Sequence, residues 1–592
     1  MAFEITLLFH LGMILIAATL FNFIARLLGQ PPLLAYLAAG LFIGPFGLGG
    51  LGIAIGGIPL GVQTTQEILL LSELGVAFLL FSVGVESELS KFRELGKIAI
   101  IGTVLQVVLT VLLVFFMNGF LHALSFEQSL YLGLIVAFSS TTIVVKILSD
   151  TKEINTLHGR LMIGFLLMQD VLVIIAMPFL TNIQSEFSIS VVGGIVFQIG
   201  VMLVLAFVMN RYAYPRLFAY AARSDELFFL SAMSSVFLFI FISYILNFPM
   251  AVGAFIAGVT ISTLPYSAEV SNRIRGVRDF LATIFFVTLG IQISPSFVNF
   301  PLGLALLLVG IVFILKPLVV YAITVMSGYG NKVSITVALA LAQVSEFGFI
   351  IASQGKPILD NTPGLYSFII LLIAVSMAAT PYMVGFTPIA YNFAVNNFGP
   401  IVESVRKRSF LYRRIKVLGN IPPKMEGHIV VFGGGTVGSG IADVLSRKAS
   451  VVIVDSDPEV VSDFMGKGVG ALYGSSDNPE IWAKASVEKA KVVVLATPSA
   501  RPGLPLVHHL KRFKKKPMIF ARAHYYHDSM LLYDAGVDVV VMPHVIGSNF
   551  FIKRILQYLE TGKIEELSEG YRDLFTMFLR EKSREEKRGP LA

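Results

Sequence analysis

The chain of 592 residues is 55% hydrophobic and only 14% charged, with a mean hydropathy of +0.78, which excludes an ordinary water-soluble globular protein and indicates a polytopic membrane protein. It contains no cysteine, so disulfides, thiol catalysis and zinc–thiolate sites are excluded. Residues 1–400 hold 16 Lys/Arg and 17 Asp/Glu, against 29 and 21 in residues 401–592, so the net charge of +7 arises in the second part and implies no nucleic-acid partner.

Apolar runs long enough to cross a bilayer fall at roughly 5–25, 32–48, 66–85, 98–118, 128–148, 161–181, 189–209, 227–246, 249–265, 280–294, 302–326, 333–354 and 366–388. The first lacks a basic flank and a small-residue cleavage site and reads as a span, not a signal peptide. Thirteen spans place the two ends on opposite sides. One set of alternate loops carries fourteen basic residues, from Arg26 through Arg211, Arg216 and Arg223 to Lys332; the other carries only Lys356. The excess of positive charge predicts an N-terminus outside and a cytoplasmic C-terminal part.

Several spans are poor membrane helices. The fifth contains four consecutive hydroxyl residues, Ser139, Ser140, Thr141 and Thr142, and the twelfth contains Gln343-Val-Ser-Glu-Phe347. Such interruptions are tolerated where backbone lines a cavity, and a pair of them marks the binding site of an inverted-repeat transporter. The span after the first interruption carries Gln169-Asp170, and the span before the second carries Lys316. A carboxylate at bilayer depth costs about 2.5–3.5 kcal/mol on insertion scales, so Asp170 is expected to act on a cation or a proton, with the hydroxyl run nearby. Lys316 lies too deep to snorkel and is expected to pair with an intramembrane carboxylate. Glu346 could be a ligand, a proton acceptor or a structural partner; Glu73 reads as structural. Ser327-Gly-Tyr-Gly-Asn331 contains the Gly-Tyr-Gly of potassium-channel filters, but it sits in a basic-flanked loop with no preceding pore helix.

The membrane part is placed at 1–390, a basic linker at 391–426, a soluble domain at 427–562 and a charged tail at 563–592. The linker reads as a positive-inside anchor, with anionic-lipid contact as an addition. The soluble domain opens with His428-Ile-Val-Val-Phe-Gly-Gly-Gly-Thr-Val-Gly438, in which Gly433, Gly435 and Gly438 form G-x-G-x-x-G between a strand and a helix. The next strand ends in Asp455, twenty residues after Gly435. Strand, glycines, helix and spaced acid together predict nucleotide binding, with phosphate at Thr436, Val437 and the helix N-terminus, and a ribose hydroxyl on Asp455. That acid argues against NADP. Six strands alternating with helices predict a doubly wound Rossmann-like sheet. No hydride-transfer partner site follows, so the nucleotide is expected to be an effector and the protein not an enzyme.

Leu71-Ser-Glu-Leu-Gly75, Leu79-Leu-Phe-Ser-Val-Gly-Val-Glu86, Gln169-Asp170, Met250-Ala-Val-Gly-Ala-Phe-Ile-Ala-Gly258, Phe285-Phe-Val-Thr-Leu-Gly290, Gln343-Val-Ser-Glu-Phe347 and the appended domain resemble the Kef-type potassium/proton antiporters of the second monovalent cation:proton antiporter family. The soluble part is similar to the regulator-of-potassium-conductance (RCK) modules. The resemblance implies an inverted-repeat antiporter core with crossed, unwound helices in a cell-membrane homodimer joined through membrane and RCK domains. It also implies potassium or sodium exchanged for protons at Asp170, and AMP or NAD(H) as regulatory ligand, with Ser456, Ser475 and Asp477 near the adenosine. Ser345 stands where many members have glycine, and Ser475-Ser476 precede Asp477 where many regulatory domains have an acid directly after the Tyr-Gly. Sodium-type relatives carry two carboxylates where this chain has Gln169-Asp170. A single carboxylate predicts one-for-one, electroneutral exchange, with Gln169, Ser139, Ser140, Thr141 and Thr142 around the ion and Lys316 paired to Asp170 in the empty state.

Overall fold

A computed structural model describes the chain except residues 1, 52–53, 56–57, 60, 87–96, 152, 155, 182–188, 395–396, 398–418, 421–424, 456–457, 498–500, 514 and 562–592. The basic linker residues from Arg406 to Lys416, the charged tail and Ser456 therefore lie outside the described residues. The chain divides into two compact units, Met1–Ile415 and Lys416–Ala592.

The first unit is helical: α1 (Ala2–Leu27), α2 (Pro32–Ile43), α3 (Gln66–Glu86), α4 (Lys97–Leu121), α5 (Phe126–Ala137), α6 (Thr141–Asp150), α7 (Leu157–Thr181), α8 (Ile189–Val208) and α9 (Tyr214–Ala221). There follow α10 (Asp225–Ile245), α11 (Met250–Ser262), α12 (Ser267–Ile291), α13 (Leu302–Gly310), α14 (Lys316–Met326), α15 (Asn331–Ala340), α16 (Phe347–Gln354), the single turn α17 (Lys356–Leu359) and α18 (Leu365–Gly385). Ala54–Ile55 (β1) and Ile58–Pro59 (β2) form a small antiparallel ribbon. Ten stretches of described helix are long and apolar enough to cross a membrane. The other three expected spans fall on the shorter apolar α11, on α12, whose first half is charged, and on the broken pair α15 and α16. Thirteen spans are thus not counted by length and apolarity alone, because these three are short, mixed or interrupted.

Local chemistry sets the helix ends. Ser125 and Gln128 form a reciprocal capping box that starts α5, satisfying backbone donors that a membrane cannot hydrate. Two π turns, Met209–Ala213 and Ile311–Leu315, stand directly before Tyr214-Pro215 and Lys316-Pro317. Proline has no N–H for the preceding ladder, and a wider turn absorbs the misfit. The second π turn thereby sets the position of Lys316.

The helices sort into two groups that pack chiefly among themselves. In one, α1–α3 pack with α10–α12; in the other, α4–α7 pack with α14–α16 and α18. The first group is drawn together by glycines. A Cβ at Gly84 would strike the Phe255 carbonyl and one at Gly258 the Phe81 carbonyl; Gly40 and Gly290 meet in the same way. These are small-residue contacts of the kind that let membrane helices approach closely. Glycines of the family motifs therefore serve packing. Large apolar side chains such as Phe23, Phe197 and Phe241 face outward, as expected where lipid is the solvent.

The second unit is a seven-stranded sheet in the order β3-β6-β5-β4-β7-β8-β9, formed by β3 (Gly419–Asn420), β4 (Ile429–Phe432), β5 (Val451–Asp455), β6 (Gly470–Tyr473), β7 (Val492–Leu495), β8 (Met518–Arg522) and β9 (Val539–Val541). All neighbours from β6 to β9 are parallel; β3 joins antiparallel at the edge. The six expected strands form, and β3 adds a seventh from the stretch assigned to the linker. Helices α19 (Thr436–Leu445), α20 (Pro458–Gly466), α21 (Pro479–Lys484), α22 (Leu504–Leu510), α23 (Tyr526–Ala535) and α24 (Pro543–Thr561) connect or follow the strands. This is the doubly wound order, and chain order reverses between β4 and β7, where such sheets bind ligands.

Candidate functional site: crossed helix breaks in the membrane unit

The backbone leaves helical geometry at residues 138–140, between α5 and α6, and again at 341–346, between α15 and α16. The two breaks touch. Ser345 N donates to the Phe138 carbonyl at 3.1 Å, Ser139 Oγ to the Leu341 carbonyl at 2.8 Å, and Gln343 Nε2 to the Ser140 carbonyl at 3.1 Å. Each break satisfies polar groups freed by the other, which is how non-helical backbone survives at membrane depth.

Four half-helices end at this crossing, so their terminal partial charges gather there. Lys316 is fully buried and its ammonium donates to the carbonyls of Phe138 at 2.9 Å and Gln343 at 2.6 Å, just past the C-terminal ends of α5 and α15. The expected pairing of Lys316 with Asp170 or Glu346 is not what the structure contains: no carboxylate of the described residues lies within 4.0 Å of this ammonium. Carbonyls at two helix ends are nearer and jointly carry the negative charge a lysine seeks.

The acids occupy the opposite, N-terminal ends. Thr141, the first residue of α6, donates through Oγ1 to Asp170 Oδ1 and Oδ2 at 3.3 and 3.1 Å. Thr142, the next residue, donates to Glu346 Oε1 and Oε2 at 3.2 and 3.1 Å. Glu346 itself directly precedes the first residue of α16. Asp170 is buried, Glu346 half-buried and Thr142 exposed. Ser140 is fully buried, and its hydroxyl oxygen has no hydrogen-bond partner among the described residues. A carboxylate, hydroxyls and freed carbonyls around one buried point can replace the water of a small cation, and the carboxylate can alternatively take a proton.

Gln169, Asp170, Ser139, Ser140, Thr141, Thr142, Lys316 and Glu346 are therefore brought together. Glu73 is not among them: it is exposed on α3. The Gly-Tyr-Gly segment is the turn between α14 and α15, with Gly328 at φ +97°. Sequence reasoning missed Gln106, on α4. Its Nε2 donates to the Ala137 carbonyl at 2.9 Å and its Oε1 accepts from Gln169 Nε2 at 2.7 Å. The signal was present: Thr103, Gln106 and Thr110 are spaced three and four apart, on one helical face, and all are fully buried. Gln343 was quoted only as part of a motif. It accepts from Thr380 Oγ1 at 2.8 Å.

In the soluble unit, Gly433 adopts φ +94°, a conformation that favours glycine, and a Cβ at Gly438 would overlap the Gly433 carbonyl. Gly435 begins α19 with open space where a side chain would be. Thr436 and Val437 form the first turn of α19. Asp455 ends β5, and its Oδ2 accepts a hydrogen bond from Gly434 N. Gly474 N donates to the Asp455 carbonyl at 2.8 Å, which sets the turn carrying Ser475 and Asp477 beside that acid. Glycine turn, helix N-terminus and acid thus converge at the carboxyl ends of the strands, where a phosphate could approach backbone at Gly435.

The model of the sodium/hydrogen exchanger transmembrane family matches residues 12–387, the whole of the stretch that builds the crossing. The chain belongs to this exchanger family. A TrkA-N domain matches residues 429–543, and the two in series make the Kef-type architecture. The exchanger chain is 26% identical to the protein YbaL of Escherichia coli (strain K12), over 94% of this chain and 98% of YbaL. It is 27% identical to K(+) efflux antiporter 2, chloroplastic, of Arabidopsis thaliana, over 91% of this chain but only 45% of that longer protein. Among solved structures, the sodium proton antiporter MjNhaP1 from Methanocaldococcus jannaschii superposes with a TM-score of 0.50, covering 66% of this chain and 99% of the other at 17% identity. That likeness shows the fold of the membrane unit.

Proposed function

We propose that this exchanger carries a monovalent cation, potassium in the first place, out of the cytoplasm in exchange for protons at Asp170. The observation that carries this reading is the buried Asp170 carboxylate held by Thr141 at the crossing of two broken helices. Cation and proton compete for one carboxylate, and both loaded forms are neutral at that site. Alternating access then follows from movement of the α4–α7, α14–α16 and α18 group against the other group. Lys316 does not pair with Asp170 in this scheme; it holds the crossing closed through two carbonyls. The name of K(+) efflux antiporter 2 supports potassium as the ion.

The C-terminal unit acts as a regulator and not as an enzyme. Gly433, Gly435, Thr436, Val437 and Gly438 would hold the phosphate of AMP or NAD(H) against the start of α19, and Asp455 would turn to the ribose. Bound nucleotide shifts the populations of the transport states by its differential affinity for them. The protein works as a homodimer in the cell membrane, N-terminus outside, with anionic lipid at the basic linker.

Proton movement in proteoliposomes, with the membrane potential clamped, tests the reading. Potassium should drive proton efflux in the wild type and fail to do so in Asp170→Asn. Proton movement with sodium alone would make the cation sodium, and potassium flux without protons would remove antiport altogether.

A further inference from the structure

Gln106 and Gln169 lie on different helices, α4 and α7, and form one hydrogen-bonded chain across the first break. Its two ends are backbone groups with no freedom of role. The Ala137 carbonyl can only accept, so Gln106 must direct its NH2 there, at 2.9 Å, with Thr110 Oγ1 as second acceptor at 3.2 Å. Its oxygen then faces Gln169 and receives Nε2 at 2.7 Å. Gln169 is left with its oxygen toward Ser139 N, which can only donate, at 2.9 Å. Neither amide can flip without breaking two hydrogen bonds. Both amides are fully buried, so no water replaces a lost partner.

The backbone that the chain grips is the one carrying the site. Ala137 is the last residue of α5, and its carbonyl is one of the orphan acceptors of a helix end. Ser139 and Ser140 follow, and Gln169 precedes Asp170. The Ser140 hydroxyl, buried and without a partner among the described residues, stands within this gripped segment.

We infer that Gln106 is a positioning residue for the cation site, fixing the distance between the 138–140 break and Asp170 through Gln169 and thereby setting which cation fits. The inference rests on the reading of Asp170 as the cation site. Gln106 does not touch the ion; it acts through Gln169 and the α5 terminus.

The test is an equilibrium one. Full-length protein in detergent is titrated with KCl, and separately with NaCl, and the cation concentration giving half of the thermal stabilisation is read. Wild type is compared with Gln106→Met, Gln106→Asn, Gln169→Met and the double variant Gln106→Met/Gln169→Met. Asparagine keeps the amide but is one methylene shorter, so it cannot reach both Ala137 and Gln169. Expected is a rise of about tenfold in half-saturating cation for Gln106→Asn, as at least one buried hydrogen bond is lost, and at least as large a rise for Gln106→Met, which loses all three, with a changed potassium-to-sodium ratio in both. The double variant should bind no worse than Gln169→Met alone, because the two act as one unit. Unchanged half-saturation and ratio in Gln106→Asn would overturn the inference, as would effects that add in the double variant. If Gln106→Met does not fold, Gln106→Asn decides. A wild type stabilised by neither cation overturns the inference together with the site it rests on. Cation binding without proton movement in proteoliposomes removes antiport and leaves the Gln106 result standing.

Discussion

Lys316 and Gln343 are joined at 2.6 Å, ammonium to carbonyl, in the fully buried centre of the membrane unit. With the second bond to Phe138, this lysine closes two helix ends at once. Its first duty is thus architectural. Lys316→Met leaves the Gln343 carbonyl without its donor, while Phe138 keeps Ser345 N, and should destabilise the protein by about 1–3 kcal/mol, the cost of one buried group left unsatisfied. Lys316→Gln can still donate from its amide and should lose less stability while retaining exchange. Thermal unfolding and proteoliposome flux of both variants check this. Equal loss of exchange in the two, with stability intact, would restore the view that the charge of Lys316 serves Asp170.

Thr141 and Thr142 are adjacent in the chain yet serve different acids, Asp170 and Glu346. Successive residues on a helix point about 100° apart, so the start of α6 separates the two carboxylates. Thr141→Val should raise the half-saturating cation concentration by about tenfold to a hundredfold, the value of one hydrogen bond to a charged group. Thr142→Val should leave it within about twofold, since its partner is not the acid that carries the ion. Transport assayed over a range of potassium concentrations distinguishes them.

Much of this was legible in the residues. Asp170, Lys316 and the two interruptions stand out because charge and clustered hydroxyls are expensive in lipid. The strand–glycine–helix–acid pattern marks a candidate nucleotide site for a similar reason: few other roles need those residues at that spacing. What was not legible depends on who is the nearer neighbour in space. Lys316 could have met a carboxylate or a carbonyl, and only the crossing decides for the carbonyls. Gln106 belongs to a polar stripe that sequence shows, but its partners Ala137 and Gln169 come from two other helices. The antiparallel β3 consists of two residues and carries no alternation to detect.

One polar junction ties the two helix groups together. Lys356 donates to Gln292 Oε1 at 2.9 Å, Tyr366 OH donates to the same oxygen at 3.3 Å, and Ser294 N donates to Ser367 Oγ at 2.9 Å. If the groups move against each other during transport, these bonds must break in one state and form in the other. Lys356→Met should then raise the population in which the site opens on the Lys356 side. The absence of native cysteine makes Thr142→Cys a background-free reporter. Membrane-impermeant thiol reagents should label it from the opposite side in otherwise wild-type protein, and from the Lys356 side at an increased rate once Lys356→Met is added. An identical two-sided pattern in both proteins would mean that this junction does not bias access.

In the soluble unit the glycines differ in what they can tolerate. Gly438 is closed by the Gly433 carbonyl, so Gly438→Ala must push α19 away from the turn. Gly435 faces open space, so Gly435→Ala fits the protein and places a methyl group only where a phosphate would approach. Gly438→Ala should therefore lose both nucleotide binding and stability of this unit. Gly435→Ala should keep stability within about 1 kcal/mol, the ordinary cost or gain of a glycine replacement, while weakening binding of AMP or NADH by at least about tenfold. Calorimetric titration of the full chain with each nucleotide, beside thermal unfolding, separates the two. Undiminished binding in Gly435→Ala would place the phosphate elsewhere than the start of α19.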